Sequence, residues 1–137
     1  MQYSAKMDFL RDTLNLAEDV KRYEAEILSK DYASISSPAL DGVGSGTSVK
    51  PSKSTVESAV IRHDVDLSRL AKKRRELEAR RHAISTAAGR MQSRRKKDII
   101  IRRYLCGWTI DQIAAWMHVS KQASQSALSS AVHELPL

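Results

Sequence analysis

The stretch Thr109-Ile110-Asp111-Gln112-Ile113-Ala114-Ala115-Trp116-Met117-His118-Val119-Ser120 decides how this chain is read. Thr109 and Gln112 have the spacing of a capping box, in which the hydroxyl accepts from the Gln112 amide while the Gln112 side chain reaches back to the backbone. Ile110, Ile113, Ala114 and Met117 then share one face of a short helix. Ala114 is small, as a close helix crossing requires. His118-Val119-Ser120 makes the turn, with Val119 as its buried plug and His118 tolerating a positive φ better than most residues. Ser120 caps a final helix, Lys121 to Leu135. Leu128, Ala131, Val132 and Leu135 face the core there, which leaves Lys121, Gln122, Gln125, Ser126 and Ser129 on the open face. Gln bonds bidentately to adenine and Lys reaches guanine, so these five are the expected base-reading residues of a helix-turn-helix.

Upstream, Asp98 to Leu105 reads as a short helix stopped at Gly107, a residue suited to the left-handed conformation just past a helix end. The helix-turn-helix module is placed at 92–137. Residues 55–91 carry Val56, Val60, His63, Leu67, Leu70, Arg74, Leu77, Arg81, Ile84, Ala88 and Met91 in one alternating four-three spacing. They predict a long helix capped by Ser54 or Thr55. Residues 1–33 repeat the pattern through Tyr3, Met7, Leu10, Leu14, Ala17 and Leu28, with Val20, Tyr23 and Ile27 as an adjacent stripe. Between them, residues 34–54 hold three glycines, two prolines and seven serines, the composition of a flexible linker. The expected fold is therefore all-α: a long antiparallel, coiled-coil-like helical hairpin followed by a C-terminal helix-turn-helix. Whether the hairpin closes within one chain or also between two chains stays open.

Charge is uneven along the 137 residues. Residues 1–33 have five basic and seven acidic side chains, residues 55–91 nine and five, and residues 92–137 seven and three, within a net charge of +7. Fourteen of the 23 basic residues fall between Arg69 and Arg103. A polyanionic partner follows, with double-stranded DNA preferred because the basic excess abuts the reading helix. Arg94, Arg95, Lys96, Lys97, Arg102 and Arg103 are the expected phosphate contacts, joined by Thr109 and Ser120 at the two helix starts.

The pattern Thr109-Ile110-x-x-Ile113-Ala114-x-x-Met117-x-Val119-Ser120, followed by Ala131-Val132-x-x-Leu135, resembles the region-4-type helix-turn-helix of sigma factors. With Asp41-Gly42-Val43-Gly44-Ser45-Gly46-Thr47-Ser48 and Val56-Glu57-Ser58-Ala59-Val60, the chain is similar to phage-encoded regulators of the ArpU/RinA type. The resemblance implies activation of late genes; a bacterial host cytoplasm, RNA polymerase as a second partner and a homo-oligomer, a dimer favoured, are expected alongside it. Two departures stand out. His118 occupies a position that usually carries Gly, and Ser124 one that usually carries a branched apolar residue.

Other readings are fewer. The single cysteine, Cys106, excludes an intrachain disulfide and is expected to be a small buried hydrophobe. His82 and His133 are expected at the surface. Trp108 either donates to a phosphate or lids the preceding helix; Trp116 is either an exposed partner contact or packs against the hairpin. No apolar run spans a bilayer, and no cofactor motif, metal-ligand spacing or nucleophile–base pairing occurs, so neither an enzyme nor a small-molecule substrate is expected. Two alternatives to a transcription regulator are a small terminase-like DNA-packaging subunit and a helical interaction protein that does not bind DNA.

Overall fold

A computed structural model describes residues 1–30 and 52–137, and every regular element among them is helical. In order these are α1 (Tyr3–Ser29), α2 (Ser52–Gly89), α3 (Arg94–Ile100), α4 (Ile110–Met117) and α5 (Lys121–Glu134). A π-helical turn, Ile101–Leu105, continues α3. The expected linker falls mostly on residues outside the described ones, but its last three positions are already helical. Ser54 and Thr55, the expected caps, therefore lie within α2, past its start. Ser-Lys-Ser-Thr contains no helix breaker, and the proline before it in sequence is compatible with a helix start.

The described chain divides into two compact units. The first, residues 1–18 and 75–137, is built on a continuous apolar core. Leu10, Ile84, Ala88, Ile100, Ala131, Val132 and Leu135 are fully enclosed, with Ile99 and Tyr104 beside them. Tyr3, Met7, Phe9 and Leu14 of α1 pack against the same cluster. The core of the C-terminal helices therefore does not start at residue 92, because α1 and the end of α2 supply its other wall. Ser93 caps α3, its hydroxyl accepting from the Lys96 amide at 3.4 Å, so this helix begins ahead of the expected Asp98 and carries the run Arg94 to Lys97 in its first turns.

The second unit, residues 19–74, has a thinner interior made of Val20, Ile27, Ala59, Leu70 and a charged residue, Asp66. Tyr23 donates to Asp66 Oδ1 at 3.2 Å and Lys30 to Oδ2 at 2.9 Å. Arg74 grips Glu24 Oε1 through Nε at 2.9 Å and a terminal nitrogen at 2.6 Å. Here the expected seam is corrected: Val56, Val60 and Leu67 are 42%, 54% and 43% exposed, and Leu28 is 86% exposed. The inward register runs through Ala59 and Asp66 in place of Val60 and Leu67, and keeps half-buried His63 and buried Leu70 from the expected stripe. It has the same four-three spacing, and it tolerates a carboxylate because polar partners meet it.

Candidate nucleic-acid interface

The local rules around α4 and α5 operate as the residues dictate. The Gln112 amide donates to Thr109 Oγ1 at 3.2 Å and the Thr109 amide to Gln112 Oε1 at 2.8 Å, closing a capping box. At the other end His118 takes the left-handed conformation, φ 57°, ψ 42°. The Val119 amide donates to the Ala114 carbonyl at 3.1 Å and the His118 amide to that of Ala115 at 3.3 Å. This is the hydrogen-bond pair of a Schellman ending, with histidine where glycine is usual. Val119 is half-buried, not fully enclosed. Ser120 then caps α5, accepting from the Ala123 amide at 3.2 Å.

Ile113 and Ala114 of α4 and Ser124, Leu128, Ala131 and Val132 of α5 are buried, which fixes the inward side of both helices. Ser124 is enclosed and its hydroxyl donates to the Ile110 carbonyl over a long 3.5 Å. Opposite, Lys121, Gln122, Gln125 and Ser126 are exposed. Lys121 stands 3.8 Å from Asp111, a solvent-screened pair that leaves the ammonium able to exchange partners. Ser129 departs from expectation: it is only half-exposed, and its hydroxyl shares a 2.9 Å hydrogen bond with Tyr3. His133 lies at the surface as expected, with its ring stacked on Tyr3 at 4.1 Å.

The six basic candidates separate into three kinds. Arg94 and Arg95 extend into solvent beside Lys97, which is half-buried. Lys96 is ion-paired with Glu134. Arg102 and Arg103 are structural: Arg103 donates to the Trp108 carbonyl at 2.7 Å, and the Arg102 guanidinium lies 4.8 Å from the Trp108 ring and 4.3 Å from that of Trp116. Two indoles meeting edge to face at 6.4 Å thus hold one cation. Both tryptophans are half-buried, so Trp116 is packed and not a free-standing contact. The chain signal for this arrangement is slight, since only an Arg six residues before a Trp hints at it.

The π-helical turn helps to place these groups. The Cys106 amide reaches the Ile101 carbonyl at 3.0 Å and the Trp108 amide reaches that of Arg102 at 2.9 Å, around Gly107 at φ 75°. Cys106, just past this turn, is exposed where a buried cysteine was expected. Between α3 and α4, Arg94, Arg95, Asp98, Trp116 and Met117 line an open groove of about 490 Å³. Among the described residues no cluster of metal-ligating side chains occurs, and no helix is long and apolar enough to cross a membrane. No protein-family model, curated protein or solved structure matches the chain.

Proposed function

We propose that this chain is a sequence-specific double-stranded-DNA-binding regulator of transcription. In this reading α4, its turn and α5 act as a helix-turn-helix, and α1 and α2 form an antiparallel hairpin. The observation that carries it is the division of α5 into a buried side and an exposed row. Ser124, Leu128, Ala131 and Val132 are enclosed, while Lys121, Gln122, Gln125 and Ser126 stand in solvent at the capped, N-terminal end, where a groove-entering helix makes its base contacts. Arg94, Arg95 and Lys97 supply phosphate contacts nearby. Lys96, Arg102 and Arg103 contribute through the fold. The Thr109 and Ser120 hydroxyls accept from backbone amides and keep their own protons to donate to phosphate oxygens.

The hairpin reading draws on pairings that run in opposite order along the two helices: Glu24 meets Arg74 and Lys30 meets Asp66. The resemblance to ArpU/RinA-type phage regulators adds late-gene activation in a bacterial host as the biological setting.

The test is enrichment of duplexes from a random pool, followed by affinity measurement on the winners. Gln122→Ala with Gln125→Ala should relax the base preference by about 1–3 kcal/mol per bidentate pair removed while leaving the salt slope in place. Neutralising Arg94, Arg95 and Lys97 should weaken binding to every duplex alike and flatten that slope by about 0.9 for each phosphate no longer neutralised. A pool that returns no preferred sequence would overturn the reading.

A further inference from the structure

The outward row of α5 continues past the residues assigned to base contact. Positions seven apart on an α-helix lie within about 20° of one another, so Ser129 and His133 extend the line of Gln122 and Ser126. That extension is engaged by the start of α1, which leaves Ser129 half-buried and His133 exposed at its edge. Tyr3 shares its 2.9 Å hydrogen bond with Ser129 and stacks on His133 with the rings 16° from parallel. Lys6 Nζ donates to the His133 carbonyl at 3.0 Å. The ammonium thus sits at the carbonyl end of α5, where the helix dipole favours a cation. Toward its other end α5 is tied to α4 through buried Ser124. Each end of the helix therefore has its own anchor.

We propose that Tyr3 and Lys6 are positioning residues for base reading: they end the open face of α5 after Ser126 and hold steady the rotation that its buried side sets. The inference rests on α5 being the groove-entering helix. The magnitude makes rotation matter. At the outer radius of a helix, about 5–6 Å, a turn of about 20° displaces a side chain by about 2 Å. A hydrogen bond tolerates only about 0.5 Å of spread in its length. Phosphate contacts by long, mobile Arg and Lys side chains absorb such a shift, whereas bidentate contacts from Gln to a base edge do not. Loss of the clasp therefore lowers selectivity and spares non-specific affinity.

The double variant Tyr3→Phe/Lys6→Met keeps the aromatic ring and the aliphatic stem and removes only the two polar contacts. In the full chain without DNA, amide exchange at residues 129–135 should accelerate while α4 is unchanged. With a duplex enriched by the wild-type chain and a shuffled duplex of the same composition, the affinity ratio should fall about tenfold. Affinity for the shuffled duplex and the salt slope should stay within about twofold. Lys6→Arg, which retains a charged donor, should keep the wild-type ratio. A clasp that only stabilises the fold would lower the melting temperature and leave the ratio alone. That result, or unaltered exchange at 129–135, overturns the inference while the DNA reading stands. A wild-type chain that fails to distinguish the two duplexes overturns both.

Discussion

Residues 1–18 with 75–137 enclose Leu10, Ile84, Ile100, Val132 and Leu135 completely, whereas residues 19–74 bury an aspartate and leave Leu28, Val60 and Ile61 more than half exposed. Both regions draw on the same two helices, α1 and α2, so helix propensity does not separate them. The difference lies in what covers each apolar stripe. In the first region α3, α4 and α5 add walls around the helices, and burial becomes nearly total. In the second, the inward register is narrow, and Tyr23, Lys30, Glu24 and Arg74 contribute directed polar contacts where apolar area is short. A four-three repeat thus states that a helix has an apolar side, and neighbouring elements determine how much of that side leaves water.

The sharpest way to break this comparison is a pair of truncations. Ile84→Ala, in the fully enclosed core, should cost about 3 kcal/mol in urea unfolding, within the usual range for a large-to-alanine change. Val60→Ala, at a side chain 54% exposed, should move stability by less than about 0.5 kcal/mol. Comparable losses at both sites would mean that the second region has a covered core after all. Next in size is Asp66→Ala. Removing the buried carboxylate takes one partner from Lys30 and one from Tyr23, but the Lys30 side chain is 52% exposed and meets water. The expected loss is therefore about 1–2 kcal/mol, short of the cost of breaking a fully buried pair. An Asp66→Leu variant as stable as the parent would show that the carboxylate sets register more than it adds stability.

Smaller effects sharpen the picture of the first region. His118→Gly removes a Cβ from a left-handed residue at φ 57°. It should raise stability by about 0.5 kcal/mol, the relief of backbone strain exceeding the added freedom of the unfolded chain. Thermal unfolding of the two proteins checks this, and a fall on substitution would show that the imidazole itself makes a contact worth more than the strain. The smallest expected change concerns alkaline pH. Burial raises the Tyr104 phenol above its ordinary value of 10.0, with Arg103 partly opposing the shift. A group whose folded pKa is raised contributes its full stability below the unfolded value and loses it as pH climbs through the folded one. Tyr104→Phe should accordingly flatten the decline of unfolding free energy above about pH 10, with little change near neutrality.

Much of the first region was legible in the chain because its signals are local. The Thr109–Gln112 box, the Ser120 cap and the left-handed positions at Gly107 and His118 each involve residues within a turn of one another, and each forms as the spacing dictates. The exposed side of α5 followed for the same reason, since helical periodicity fixes which residues oppose Leu128 and Val132. The half-burial of Ser129, the stacking of His133 on Tyr3, the exposure of Cys106 and the seating of Arg102 against two indoles were not legible, because they depend on residues beyond one helical turn.

By itself the sequence determined that the chain is helical, the caps and turn of α4 and α5, and which residues of α5 oppose its buried side, all set by interactions over three or four residues. Only the tertiary structure decided that Ala59 and Asp66, not Val60 and Leu67, join Leu70 on the inward side of α2, that α1 clasps the end of α5, and that Arg102 lies between two tryptophans. Those choices depend on contacts between residues far apart in sequence, where burial of an aspartate or a guanidinium is acceptable only if the right partner is brought to it.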